Sequence, residues 1–139
     1  MQIIVAYDAG GLFDTWARIL SRHLPKHIPG SPNVIVQNMP GAGGMKAMSH
    51  LYNAAPKDGT VMATFSGALV MNQARGEPGV DWDANRFNWV GTVSPTYFAC
   101  LTRTDTGLGN LEFADLVSGK TPRQLILGTT GTGNQAYDF

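Results

Sequence analysis

Short apolar runs alternate with stretches of helical spacing along the first half of the chain. Ile3 to Ala6 is nearly all apolar, the pattern of a strand buried on both faces. Asp8-Ala9-Gly10-Gly11 breaks it. From Phe13 the apolar positions fall at Phe13, Trp16, Ala17, Leu20 and Leu24, which predicts an amphipathic helix. Asp14 lies in its first turn, where a negative charge complements the helix dipole. Pro25 and then Ile28-Pro29-Gly30 end it. Asn33 to Gln37 predicts a second apolar strand, and Met39-Pro40-Gly41-Ala42-Gly43-Gly44 leads into a helix whose apolar face is Met45, Met48, Leu51 and Tyr52. Ala55-Pro56-Lys57-Asp58-Gly59 is turn chemistry. Thr60 to Ser66 predicts a third strand, and Ser66-Gly67 opens a helical stretch through about Gln73. Strands alternating with helices call for a parallel sheet with right-handed crossovers.

The rest of the chain is less regular. Gly76 to Asn88 is polar and turn-rich, with Trp82 as the anchor of an ordered loop. Phe87 to Val93 predicts a fourth strand, Phe98 to Thr102 an extended crossover, and Leu111, Ala114, Asp115 and Leu116 a short helix. Leu125-Ile126-Leu127 predicts a last strand running into Gly128-Thr129-Thr130-Gly131-Thr132-Gly133-Asn134.

Composition narrows the function classes. The 139 residues fit about one domain. Only 14% are charged and 43% apolar. Ten basic residues balance ten acidic ones, so no excess charge points to nucleic acid or an anionic membrane surface. A single cysteine, Cys100, excludes an internal disulfide framework and a thiolate zinc cluster. With no base at readable spacing, it reads as a buried structural thiol. No apolar run approaches the ~18 residues of a membrane span. No basic start and apolar stretch of a secretory signal precedes the first strand, which implies either a cytosolic protein or a signal already removed. The last residues, Asp138-Phe139, follow a glycine-rich turn where another helix is expected, the mark of a truncated lobe.

Three predicted strands end in glycine-rich turns: Gly10-Gly11, Gly41 to Gly44, and Gly128 to Gly133. Ligands of open parallel sheets bind beyond the carboxyl ends of the strands, and unpaired N–H groups at the following helix N-termini make an anion cradle. Strand-to-helix turns also favour glycine on their own account, so both readings stand. Nucleotide fingerprints fail: Gly128-Thr-Thr-Gly-Thr-Gly has its glycines in the wrong order, and Gly41 to Lys46 lacks the spacing and hydroxyl of a P-loop. His23 and His27 are four apart, but Pro25 lies between them and no third ligand is evident, so no metal site is expected. Ser66 before Gly67 is not a nucleophile elbow. No catalytic constellation and no cofactor are expected.

Three motifs carry a resemblance over nearly the whole chain. They are Tyr7-Asp8-Ala9-Gly10-Gly11-Leu12-Phe13-Asp14, Asn38-Met39-Pro40-Gly41-Ala42-Gly43-Gly44 and Ala55-Pro56-Lys57-Asp58-Gly59-Thr60. In this order and spacing the chain resembles the periplasmic substrate-binding subunits of tripartite tricarboxylate transporters, the Bug family. Phe113-Ala114-Asp115-Leu116 and the terminal glycine turn extend the likeness more weakly. The resemblance implies an α/β lobe of the periplasmic-binding-protein type II class, a mostly parallel sheet flanked by helices, apparently truncated here. Residues 1–98 correspond to lobe one, 99–103 to a crossover strand and 104–139 to the beginning of lobe two. It implies no enzyme. A small carboxylate sits in the cleft between lobes and is delivered to membrane transporter subunits from the periplasm. The lobe-one contacts implied are Tyr7, Ala9, Gly10, Gly11, Phe13, Asp14, Gly41, Gly43, Gly44, Ser66 and Gly67. Those of lobe two are Thr129, Thr130, Gly131 and Thr132. Asp8 departs from the picture by placing a negative charge in the loop that meets the carboxylate, which admits an amino-acid-like solute. Truncation exposes edge strands and apolar faces, which admits a homo-oligomer, a domain swap, or an oligomeric domain without binding. A small serine hydrolase built on Ser66 and a glycine-turn oxyanion hole is the remaining alternative.

Overall fold

The computed structural model describes residues 1–93, 114–115 and 118–120. Residues 1–93 contain six principal elements: strand β1 (Gln2–Val5), helix α1 (Leu12–His23), strand β2 (Ile35–Asn38), helix α2 (Met45–Asn53), strand β3 (Val61–Thr64) and helix α3 (Ala68–Ala74). The expected alternation is therefore present, and a 3-10 turn at Leu24–His27, begun by Pro25, closes α1.

The three strands form one parallel sheet in the order β2-β1-β3. Beyond Gln2 at its start, central β1 is apolar because both its faces are covered. Ile3 and Val5 pack with Ala17 of α1 and Val34 on one side. Ile4 and Ala6 pack with Ala47 of α2 on the other. The period-two alternation of a strand thus feeds two separate cores. A third cluster, Met48, Leu69 and Trp82, joins α2 and α3 to the loop after α3. Trp82 is buried there, in the anchoring place its position in the polar stretch predicts. The expected second apolar strand is β2, which among the described residues is an edge strand, paired on one side only, with Ile35 60% exposed.

The fourth strand expected at Phe87 to Val93 is absent. The chain makes a 3-10 turn at Ala84–Arg86 and continues without a ladder. The Asp83 carboxylate accepts the Asn85 N–H at 3.0 Å, which bends the backbone. The Trp89 indole N–H donates back to the Ala84 carbonyl at 3.2 Å. The aromatic residues that suggested a strand instead form a ring series, Tyr52–Phe87–Trp89–Phe65, with centroids 5.6, 6.0 and 5.9 Å apart and near-perpendicular planes, a favourable edge-to-face arrangement.

Residues 94–128 belong to a separate compact unit. In its described part Ala114 and Asp115 are helical, Ser118 N–H donates to the Ala114 carbonyl and Lys120 N–H to the Asp115 carbonyl, each at 3.0 Å. The expected crossover, the last strand, Cys100 and the terminal glycine turn lie outside the described residues. Among the described residues no helix is long and apolar enough to cross a membrane.

Candidate functional site

Because all three strands run the same way, the loops after β1, β2 and β3 emerge at one edge of the sheet, where Val5 stands level with Asn38 and Thr64. The chain passes from β1 outward to β2, then crosses back over β1 to β3. The connections therefore leave the carboxyl ends of β1 and β3 in opposite directions, which opens a crevice there.

Tyr7 ties the three loops together. Its carbonyl accepts the Asn38 amide at 3.1 Å. Its hydroxyl accepts the Ser66 N–H, also at 3.1 Å, bridging the β1 and β3 loops. Its ring lies 4.7 Å from that of Phe13. Burial pushes the Tyr7 phenol above its ordinary pKa, opposed by its hydrogen bonds to Ser66. Gly44 packs beneath this arrangement with φ +104°, and a Cβ there would lie 2.8 Å from Leu69 Cδ1 and 3.5 Å from Tyr7 Oη. Glycine is required at that position by both conformation and space.

Asp14 faces inward. Only 3% exposed, its carboxylate accepts the Gly10 N–H at 2.8 Å, Arg18 Nε at 2.9 Å and Asn38 Nδ2 at 3.0 Å. These donors, Arg18 first, hold the carboxyl far below the usual carboxylate range. Of the residues expected to touch a ligand, Asp14 is thus engaged with the fold and fixes the loop, and the Gly10 N–H is committed to it. Arg18 and Asn38 complete the network, and neither was among the expected residues. The Asp14–Arg18 spacing of four on a helix was the available signal. Asn38, 24 residues from Asp14, opens the second motif, but nothing in its spacing tied it to Asp14.

The other predicted lobe-one positions divide by exposure. Ala9, Gly10, Gly11, Gly41 and Gly67 are exposed, Phe13, Gly43 and Ser66 are half-buried, and Gly44 is buried; Asp8, the departure from the pattern, is exposed as well. Helix α1 begins after Gly11 and α2 after Gly44, and neither has a side-chain cap. Ser, Thr, Asp or Asn ordinarily fills that role, so the first N–H groups of α1 are left without a capping side chain at this edge. At α2 the chain enters through a 3-10 turn, and the Gly44 and Met45 N–H groups donate to the Gly41 and Ala42 carbonyls. At α3 the Ser66 hydroxyl accepts the Ala68 N–H at 3.3 Å. The Thr64 hydroxyl oxygen, at the end of β3, is buried without a hydrogen-bond partner among the described residues. The uncapped end of α1, with a small, open loop in front of it, can receive an anionic oxygen through backbone donors. Thr129, Thr130, Gly131 and Thr132 lie outside the described residues.

No protein-family model matches the chain. Two curated relatives are similar to it. One is the "UPF0065 protein in gbd 5'region" of Cupriavidus necator, 26% identical over 133 residues. The other is the "UPF0065 protein in the TAR-I ttuE-ttuC' intergenic region" of Agrobacterium vitis, 33% identical over 141 residues. These alignments cover 95% and 96% of this chain but 39% and 38% of the relatives. The chain spans less than two-fifths of the length of the curated relatives it matches.

Proposed function

We propose that the chain is the first portion of a Bug-type extracytoplasmic solute-binding protein that holds a small carboxylate and presents it to membrane transporter subunits. The observation that carries this reading is the uncapped N-terminus of α1 behind Gly11, beside the glycine turn 41–44, at the carboxyl edge of a parallel sheet. The UPF0065 relatives support it, since that label denotes the Bug family, a periplasmic solute-binding class. The three motifs that carry the resemblance support it as well. The chemistry is recognition without bond making. Gly11 and the first turn of α1 supply amide donors, the turn Gly41 to Gly43 lines the crevice beside them, and Asp14 with Arg18 and Asn38 keeps the first loop in position. Thr129 to Thr132 correspond to the closing loop of the second lobe. The exposed Asp8 at the rim favours a solute with an amine beside its carboxylate.

Gly11→Val tests the reading cleanly. Gly11 has φ −76°, and a Cβ there meets only the Asp8 carbonyl, at an ordinary 3.6 Å, so the fold accepts the side chain while the approach to the amides is blocked. Native mass spectrometry of the purified chain with succinate or glutamate is expected to show a carboxylate adduct for the parent and none for Gly11→Val, with equal helical circular dichroism. Unchanged affinity in the variant removes the first loop from the site. A bare dimer of the parent points instead to assembly through the open β2 edge, where Ile35 is exposed.

A further inference from the structure

A second cavity, of about 430 Å³, opens near the start of β3, beside Val61 and at the far end of that strand from Ser66. Its size falls in the usual ~300–1,000 Å³ range of small-molecule sites. Its walls combine two aromatic rings and two cations: Tyr52, Phe87, Lys57 and Arg86, with Asn88 at the mouth. Tyr52 and Phe87 meet edge to face at 5.6 Å. The Arg86 guanidinium lies 6.0 Å from the Tyr52 ring centroid, and its Nη1 donates to Tyr52 Oη at 3.3 Å. Lys57 Nζ stands 5.5 Å from the same ring and is pinned by the Leu51 and Tyr52 carbonyls at the end of α2.

Among the described residues neither cation has a carboxylate at ion-pair distance. The ion pairs found there are Arg18–Asp14 and Arg75–Glu77. The two nearby acids are otherwise engaged. Asp58 accepts from the Thr60 N–H and hydroxyl, and Asp83, which feels the charge of Arg86, accepts from Asn85 and Gln73. The cavity therefore joins an aromatic wall to positive charge with no carboxylate in its lining. A planar guanidinium held over the Tyr52 ring presents its fork to a carboxylate, while half-buried Phe87 in the same wall offers an aromatic surface to a second ring. We propose that this cavity is a binding site for a small aromatic carboxylate, separate from the crevice at the opposite edge of the sheet.

Benzoate is the probe, added to the whole chain and followed by amide-resolved NMR, with benzamide and cyclohexanecarboxylate as comparators. Saturable shifts are expected at residues 57–61 and 86–88, with Gly10 and Gly44 unmoved. Benzamide, lacking the charge, and Arg86→Gln, lacking the fork, are each expected to weaken binding by about two- to fivefold, as for one solvent-exposed charged contact. Arg86→Lys keeps the charge and is expected to lie between. Arg86 is exposed, so the spectrum elsewhere is expected to superpose on the parent's. The proposal is overturned if benzoate produces no saturable shifts at these residues, if benzamide or cyclohexanecarboxylate binds as well as benzoate, or if both Arg86 variants keep parental affinity. Shifts confined to residues 8–14 and 41–44 would also overturn it while leaving the carboxyl-edge reading intact.

Discussion

Replacing Gly44 by alanine probes the closest packing beneath the carboxyl-edge crevice. Two costs add. An L side chain at φ +104° loses about 1–2 kcal/mol relative to glycine. The new Cβ would also lie 2.8 Å from Leu69 Cδ1 and 3.3 Å from Ala6 Cβ. Leu69 is 1% exposed and wedged with Met48 and Trp82, so it yields only by leaving its rotamer, at about 1–3 kcal/mol for overpacking of this kind. The expected loss is about 2–5 kcal/mol. Gly59 supplies the control. It has φ +80° but nothing within 4 Å of its Cβ position, so Gly59→Ala is expected to lose only the conformational part, about 1–2 kcal/mol. Urea midpoints at constant slope measure both. Trimming the obstacle gives a second check: Gly44→Ala with Leu69→Ala should be less destabilised than the sum of the singles, by about 1 kcal/mol or more. Equal losses for Gly44→Ala and Gly59→Ala, or strict additivity in the double variant, would refute the contact as the source.

Other expectations follow from the same network. Tyr7→Phe removes the acceptor of the Ser66 N–H and is expected to lose about 0.5–1.5 kcal/mol, with faster amide exchange at Ser66 than in the parent. Asp14 is held below its unfolded pKa, so its contribution is complete above the unfolded value of ~3.9 and is lost as pH falls toward the folded one. Urea midpoints at pH 3 and pH 6 should therefore differ less for Asp14→Asn than for the parent. Asp58 and Asp83, also lowered, keep some acid sensitivity in the variant. Asn38→Ala should loosen the first loop, read as increased exchange at Gly10, while the sheet amides keep their protection.

The alternation of strand and helix was legible because β1 and α1 are patterned by the cores they face. Ile3 to Ala6 is apolar at every position since both faces of β1 are covered, and Phe13, Ala17 and Leu20 repeat with the helix. The apolar run of β2 predicted a strand, which is present, but such a run does not say whether a strand is central or at an edge. Phe87 to Val93 was misjudged, since its aromatic residues were read as ladder positions and instead meet Tyr52 and Phe65 edge to face. At the site, the glycines after β1 and β2 marked the crevice. Its internal wiring was hidden, since Asn38–Asp14 and Tyr7–Ser66 join residues brought level only by the strand order. The cavity at Tyr52 and Arg86 was hidden for the same reason, its cations and rings being drawn from two distant turns.

The central position of β1 also bears on how the sheet assembles. Gln2 pairs with Ile35 on one side and Val61 on the other, so the first of the three strands in chain order has no backbone partner in its own neighbourhood and needs segments about thirty and sixty residues further on. Until β2 arrives both edges of an apolar strand are open, and until β3 arrives one still is. Non-local parallel pairing of this kind is slow and exposed to aggregation. Chaperone cover of β1 during that interval should therefore raise the yield of folded protein without changing its final stability.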